Sequence, residues 1–89
     1  MSTDQPRVLV VEDEPAQLEV LAYNLEAEGF AVSRARDGEE ALLIIAEEAP
    51  DIIVLDWMMP NMSGIEVCRR IKSKPETRST PVIMLSARS

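Results

Sequence analysis

The chain has 89 residues, 46% of them hydrophobic, a size that suits one small domain with its own core. Its net charge of −7 argues against direct binding to nucleic acid, and it contains neither an apolar run of membrane-spanning length nor a signal-peptide pattern. With one cysteine and no histidine it excludes an internal disulfide, a cysteine-based zinc cluster and Ser-His or Cys-His catalysis, and the composition fits a reducing cytoplasm.

The first part of the chain reads as a strand followed by a helix. Residues 1–6 are polar, and we expect them to form a frayed N-terminal tail. Residues 7–11 are an apolar run typical of a buried strand, and the run ends in Glu12 and Asp13. The helical spacing that follows ends at Gly29, which suits the position after a helix C-terminus. The apolar face predicted for this helix is Leu18, Leu21, Ala22 and Leu25.

A second strand and helix follow. Residues 30–35 alternate loosely between apolar and polar side chains and predict a shorter strand. Asp37 and Glu40 have the spacing of a capping box, so we expect a helix to begin there. Pro50 marks the end of that helix. Its predicted apolar face is Leu42, Ile45, Ala46 and Ala49.

The third predicted strand is an apolar run that ends in a carboxylate. Residues 51–55 form a continuous run that predicts a strand buried on both faces, as in a parallel sheet, and the run ends in Asp56. After a short loop, Ser63 and Glu66 have capping-box spacing and predict the start of a third helix. The apolar face of that helix is Val67, Cys68 and Ile71.

A fourth apolar run, residues 81–85, ends in Ser86. Three strand–helix pairs followed by a strand predict an α/β domain, with a parallel sheet, right-handed crossovers and helices on its two faces. The carboxyl ends of parallel strands lie at one edge of the sheet, where ligands bind. We therefore expect three strand-end carboxylates to lie beside the hydroxyl of Ser86. These are Glu12, Asp13 and Asp56.

Carboxylates gathered at one place remain ionised together only when a cation compensates their repulsion. Oxygen ligands without histidine or cysteine suit a hard ion, and Mg²⁺ commonly binds a few carboxylates with water and phosphate. Beside such an ion, Asp56 could act as a carboxylate nucleophile and form an aspartyl phosphate. A hydroxyl at Ser86 could then donate a hydrogen bond to a phosphoryl oxygen.

The strand-end residues and the loop after the third strand form an ordered set along the whole chain. The set is Glu12-Asp13, Leu55-Asp56, Met59-Pro60, Gly64 and Ser86-Ala87. It resembles the receiver domain of two-component response regulators. The sequence of residues 56–60 is most similar to that of the OmpR/PhoB class, whose receivers precede a winged-helix DNA-binding domain.

The resemblance implies a flavodoxin-like (CheY-like) doubly wound parallel sheet. It also implies that Asp56 accepts a phosphoryl group from a sensor histidine kinase and that Ser86 is the switch hydroxyl. Such a domain is a phosphoacceptor with phosphotransfer and autodephosphorylation activity rather than an enzyme. The implied Mg²⁺ ligands are Asp13 and Asp56 directly, Glu12 through metal-bound water, and the backbone carbonyl of Met58.

Receiver domains continue through a fourth helix, a fifth strand and a fifth helix, with a phosphate-pairing lysine on that strand. We therefore expect residues 7–89 to be an incomplete receiver domain with strands in the order 2-1-3-4 and with its output domain outside this chain. The fourth strand would then be an exposed apolar edge, which favours self-association or element swapping.

Two other functions stand beside this interpretation. A haloacid-dehalogenase type of enzyme also forms an aspartyl phosphate, but its D-x-D pattern after the first strand is absent from residues 12–15. A pseudo-receiver or non-functional fragment would act only through phosphorylation-independent interactions. Taken singly, Asp56 reads equally well as a solvated strand end, and Ser86 as ordinary turn chemistry.

Overall fold

The computed structural model describes residues 5–85, which form four strands alternating with three helices. None of the helices in this range is long and apolar enough to cross a membrane. The strands are β1 (Arg7–Val11), β2 (Ala31–Ala35), β3 (Ile52–Asp56) and β4 (Val82–Leu85), and the helices are α1 (Pro15–Ala27), α2 (Gly38–Glu48) and α3 (Gly64–Lys72).

The four strands form one parallel sheet in the order β2-β1-β3-β4, which confirms the predicted order. The central strand β1 pairs with a neighbour on each side, so that Val10 lies opposite Arg34 of β2 and Val54 of β3. On the far side of β3, Leu55 lies opposite Met84 of β4. All four carboxyl ends consequently lie at the same edge of the sheet.

Both faces of β1 and β3 are buried, which explains their continuous apolar runs. On one face, Leu9 and Leu55 belong to a core completed by residues of α2 and α3, including Ile45 and Ile71. On the other face, a smaller core forms against α1. Its buried members are Val8, Val10, Leu18 and Val54. The sheet edge between these two layers is the place where side chains can reach a ligand.

The apolar face predicted for α2 is partly wrong. Ala41 and Ile45 are buried and Leu42 is partly buried, whereas Ala46 and Ala49 are exposed. Ala46 faces a cavity of about 60 Å³ between α2 and the region of α3 rather than the sheet. Ala49 lies past the helix in a left-handed conformation with φ 49°, and its N–H donates to the carbonyl of Ile45 at 3.1 Å.

Part of the tail that was expected to fray is held against the sheet. The carbonyl of Pro6 accepts a hydrogen bond from the N–H of Ala31 at 2.9 Å, which extends the β1–β2 ladder by one residue. The side-chain Nε2 of Gln5 donates to the carbonyl of Gly29 at 3.1 Å. The remainder of the predicted tail, residues 1–4, lies outside the described range.

Strand β4 is bonded to β3 on one side, and within residues 5–85 no strand pairs with its other side. Two of its apolar side chains are correspondingly accessible, Ile83 with 52% and Met84 with 37% of its surface exposed. An unpaired apolar strand edge is a template for pairing with another chain. Within the described residues, the fourth strand is thus an apolar edge, as the sequence predicts.

Candidate functional site

Three carboxylates meet at the carboxyl edge of the sheet. Glu12 and Asp13 directly follow β1, and Asp56 is the last residue of β3. Because Val11 lies opposite Leu55 in the parallel register, the residues that follow them emerge side by side. One carboxylate oxygen from each of the three residues lies within 4.8 Å of the others. The convergence predicted from the sequence is therefore present, and we call these residues the carboxylate cluster.

The backbone around the cluster fixes two of its members in buried positions. The N–H of Glu12 donates to the carbonyl of Ala35 at 3.0 Å, and its side-chain Oε2 accepts from the N–H of Glu14 at 3.1 Å. Glu12 is 6% and Asp56 is 8% exposed, whereas Asp13 is exposed to solvent. The cluster thus has a buried base and one carboxylate that faces water.

The neighbouring acid, Glu14, has a different role. Its Oε1 accepts hydrogen bonds from the N–H groups of Ala16 at 3.1 Å and Gln17 at 3.3 Å, so it caps the N-terminus of α1. Capping of this kind satisfies backbone donors that the helix leaves unpaired. Glu14 therefore acts as a helix cap and is separate from the carboxylate cluster.

The loop between β3 and α3 returns over Asp56. The N–H of Met58 donates to Asp56 Oδ1 at 3.3 Å, and the N–H of Trp57 donates to the carbonyl of Leu85, at the end of β4, at 3.2 Å. The loop closes where the N–H of Gly64 donates to the carbonyl of Trp57 at 2.9 Å. A β-carbon at Gly64 would lie 2.9 Å from Trp57 Cα, so only glycine permits this approach.

The electrostatics of the cluster follow from its burial. Burial raises the pKa of Glu12, and the charges of Asp56 and Asp13 raise it further, although the hydrogen bond from Glu14 opposes the shift. Since the folded protein binds this proton more tightly than the unfolded chain, the resulting stability is present below the unfolded pKa and is lost as the pH rises through the folded pKa. At neutral pH a bound cation would relieve the electrostatic repulsion among the three carboxylates.

The ligand atoms fit Mg²⁺. All three come from carboxylates, and hard divalent cations prefer oxygen ligands. Exposure of Asp13 leaves space for the water molecules that Mg²⁺ retains. The backbone carbonyl of Met58 stays a predicted ligand. The N–H of the same residue donates to Asp56 Oδ1, so the backbone of Met58 lies beside the cluster. Ser86, the predicted switch hydroxyl, lies outside the described residues.

One feature of the site was missed by sequence reasoning. An open depression of about 420 Å³ runs beside the cluster and contains a cation, Arg36, which is the first residue after β2. Its position at the end of a strand is the signal that could have drawn attention to it. The residues that line the depression are Asp13, Arg36, Asp37, Glu40 and Pro60.

A parallel sheet of order 2-1-3-4 with an acidic pocket at its carboxyl edge defines a small α/β domain of the flavodoxin-like type. The family profile of the response regulator receiver domain matches residues 8–89. The chain therefore belongs to the response regulator receiver domain family.

Curated relatives place it among response regulators. It is 53% identical over 83 residues to the phosphate regulon transcriptional regulatory protein PhoB of Rhizobium meliloti (strain 1021), a match that covers 93% of this chain and 37% of that protein. It is 48% identical over 81 residues to the response regulator PleD of Caulobacter vibrioides, covering 91% of this chain and 18% of the relative. The chain thus spans well under half the length of either relative.

Solved structures share the fold. The receiver domain of a signal transduction histidine kinase from Syntrophus aciditrophicus superposes with a TM-score of 0.89 at 39% identity, covering 94% of this chain and 64% of that one. The response regulator TrrA of Thermotoga maritima, solved in complex with Mg²⁺ and BeF, gives 0.88 at 39% identity, with 96% of this chain and 72% of that chain covered.

Proposed function

We propose that this chain is the phosphoacceptor domain of a two-component system, in which Asp56 accepts a phosphoryl group from a sensor histidine kinase with Mg²⁺ at the carboxylate cluster. The observation that carries the proposal is the convergence of the three carboxylates within 4.8 Å in a chain of the receiver family. The chain acts as a phosphoacceptor rather than as an enzyme with a separate substrate. Its place of action is the cytoplasm.

The buried Asp56 is the nucleophile. One of its oxygens forms the new bond to phosphorus, the bond from phosphorus to the donor histidine nitrogen breaks, and the electron pair of that bond stays on the nitrogen. Such transfer depends mainly on positioning and charge neutralisation. The hydrogen bond from Met58 N–H to Asp56 Oδ1 fixes the orientation of the carboxylate. Mg²⁺ held by the carboxylate cluster would supply positive charge that screens the phosphoryl group from the carboxylates.

The proposal also assigns the Mg²⁺ ligands and the hydroxyl that responds to phosphorylation. Asp13 and Asp56 would hold Mg²⁺ directly, Glu12 would hold it through water, and the carbonyl of Met58 would supply a further ligand. Ser86 is the proposed switch hydroxyl, a hydrogen-bond donor to the phosphoryl group. Phosphorylation changes the contacts that the domain makes with its partners, which is how it becomes a signal.

The output of the switch is transcription, through a DNA-binding domain outside this chain. Support comes from the 53% identity to a protein named as a transcriptional regulator, although the match spans 37% of that protein. The receiver itself carries a net charge of −7 and makes no direct contact with nucleic acid in this proposal.

We expect Mg²⁺ binding to depend on Asp13. Replacing Asp13 with asparagine removes a charged ligand, and the affinity for Mg²⁺ should fall at least about 10-fold. The single tryptophan, Trp57, directly follows Asp56 and is 47% exposed, so its fluorescence reports a Mg²⁺ titration. Glu47→Gln, an equal loss of charge at an exposed position of α2, is the matched control and should bind as the wild type. Equal affinity in D13N would remove Asp13 from the site.

The exposed edge of β4 is proposed to pair with a second copy of this chain. We expect a concentration-dependent dimer in sedimentation velocity, and we expect Ile83→Lys to shift it to monomer, because an edge lysine opposes strand pairing. Leu43→Lys changes an exposed apolar residue on α2, 65% accessible, and should leave the dimer intact. A monomer at every concentration, or dissociation by both variants, would argue against pairing through β4.

A further inference from the structure

One wall of the depression beside the carboxylate cluster is held by two hydrogen bonds. Asp37 Oδ1 accepts a hydrogen bond from the N–H of Glu40 at 2.8 Å, and Glu40 Oε1 accepts one from the N–H of Arg36, also at 2.8 Å. The capping box therefore reaches back to Arg36 and fixes its backbone. Both carboxylates are thereby bonded to backbone donors.

The side chain of Arg36 is exposed, and its guanidinium forms no ion pair among residues 5–85. Arg34, two residues earlier, contrasts with it, since its guanidinium nitrogens pair with Glu19 at 3.0 Å and with Glu26 at 3.6 Å. The charge of Arg36 is consequently available to an incoming group. It lines the same depression as Pro60 and Asp13, the exposed member of the carboxylate cluster.

We propose that Arg36 binds the phosphoryl group of the donor and draws it into the depression toward Asp56. The inference rests on the proposed phosphoacceptor function and names how that site recognises its donor. A dianionic phosphoryl group approaching three carboxylates is repelled, even when a divalent cation offsets part of their charge. A guanidinium is planar, permanently charged and suited to phosphate oxygens, so one beside the path of approach lowers the repulsion.

The covalent step is unchanged by this assignment. With acetyl phosphate as donor, an Asp56 oxygen forms the bond to phosphorus, the bond from phosphorus to the bridging oxygen breaks, and acetate leaves with the electron pair. Arg36 gives up no proton and forms no covalent bond. Its effect therefore belongs to donor binding rather than to the maximum rate.

The phosphoryl group could come from either of two donors, a phosphohistidine on a partner protein or a free acyl phosphate. Acetyl phosphate represents the second, and phosphoramidate, with its phosphorus–nitrogen bond, represents the first. At neutral pH acetyl phosphate is a dianion and phosphoramidate carries less net charge, so the electrostatic effect should be larger for acetyl phosphate. A shift with both donors, smaller for phosphoramidate, means that the phosphoryl group is recognised on either source, whereas a shift with acetyl phosphate and none at all with phosphoramidate restricts Arg36 to the dianionic donor.

A charge series at Arg36 tests the assignment. Initial rates of phosphorylation are followed by Trp57 fluorescence and intact mass at saturating Mg²⁺, in Arg36→Lys, Arg36→Ala and Arg36→Glu. We expect the half-saturating acetyl phosphate concentration to rise about 3-fold to 10-fold in R36A, less in R36K and more in R36E, with the maximum rate unchanged. Arg78→Ala, an exposed arginine in the α3–β4 connection, removes the same charge and should behave as the wild type.

A second measurement separates this role from a structural one. Removing a cation from the mouth of an acidic site should leave Mg²⁺ affinity unchanged or raise it, while the affinity for acetyl phosphate falls. A variant that folds poorly would lose both. The difference between R36A and wild type should also shrink at high ionic strength, because salt screens exposed charges.

Unchanged half-saturation in both R36A and R36E, or an equal change in R78A, would overturn the role of Arg36 and leave the phosphoacceptor function standing. A folded wild-type protein that binds Mg²⁺ but accepts phosphate from neither donor would overturn the proposed function itself, and the role of Arg36 with it. The two failures are therefore distinct.

Discussion

Replacing Asp56 with asparagine is expected to reduce phosphate incorporation to background. The amide cannot act as the nucleophile that forms the acyl phosphate. The same change should raise the free energy of unfolding without Mg²⁺ by about 1 kcal/mol, because it removes a charge that repels Glu12. A loss of phosphorylation together with a gain in stability cannot arise from misfolding.

Asp51→Asn is the matched control for this result. Asp51 precedes β3 at the opposite end of the strand, where its Oδ2 accepts a hydrogen bond from the N–H of Arg7 at 2.8 Å, a bond that asparagine can retain. We expect D51N to be phosphorylated as the wild type is. Incorporation persisting in D56N, located by peptide mapping to another residue, would refute the assignment of the phosphoacceptor.

Replacing Gly64 with alanine is expected to cost about 3 kcal/mol of stability and to impair phosphorylation as well. The new methyl group would collide with backbone atoms of Asp56 and Trp57, which have no flexible end that can move aside. Relief requires the loop to separate from α3, which breaks the hydrogen bond from Gly64 N–H to the Trp57 carbonyl and shifts the residue that carries the nucleophile. Chemical denaturation and the initial rate with acetyl phosphate measure the two effects.

Gly29→Ala separates collision from backbone strain. Gly29 has φ 99° after the end of α1, but a β-carbon there would meet no atom within 4 Å. We expect a cost of about 1 kcal/mol from the left-handed conformation and normal phosphorylation of the folded protein. If G64A were as stable and as active as G29A, the close approach at Gly64 would not position Asp56.

The alternating elements, the parallel sheet and the gathering of the carboxylates at one edge could be predicted because local patterns were sufficient for them. The strand order 2-1-3-4 came instead from the resemblance to receiver domains. Strands β1 and β3 are buried on both faces, so their apolar runs are continuous, and each run ends where a charged residue must leave the core. Once the elements alternate, right-handed crossovers place all carboxyl ends together. Glu12 and Asp56 are thereby expected at the same edge of the sheet without any knowledge of side-chain packing.

The buried face of α2 could not be predicted as well, because its sequence offers overlapping apolar stripes. Ala41, Ile45 and Ala46 all lie on plausible faces, and the choice between them depends on how the helix packs against both the sheet and α3. Ala46 instead borders a cavity. Periodicity within one helix contains no information about the position of its neighbour.

Arg36 was missed for a related reason. A charged residue in a connection is usually solvated, and its sequence neighbours Asp37 and Glu40 were explained fully as a helix cap. The depression exists only because β1 and β2 end side by side, as the hydrogen bond from Glu12 N–H to the carbonyl of Ala35 shows. Whether Arg36 lines a depression thus depends on the pairing of two strands that are separated in sequence.

The central claim is that the carboxylate cluster is a Mg²⁺-dependent phosphoacceptor site at Asp56. Intact mass before and after incubation with acetyl phosphate, with Mg²⁺ and with a chelator, tests it most directly. The account predicts the gain of one phosphate that requires Mg²⁺ and maps to the peptide containing Asp56. A folded protein that gains no phosphate, or gains it equally in chelator, would contradict the claim and favour a domain that acts through interactions alone.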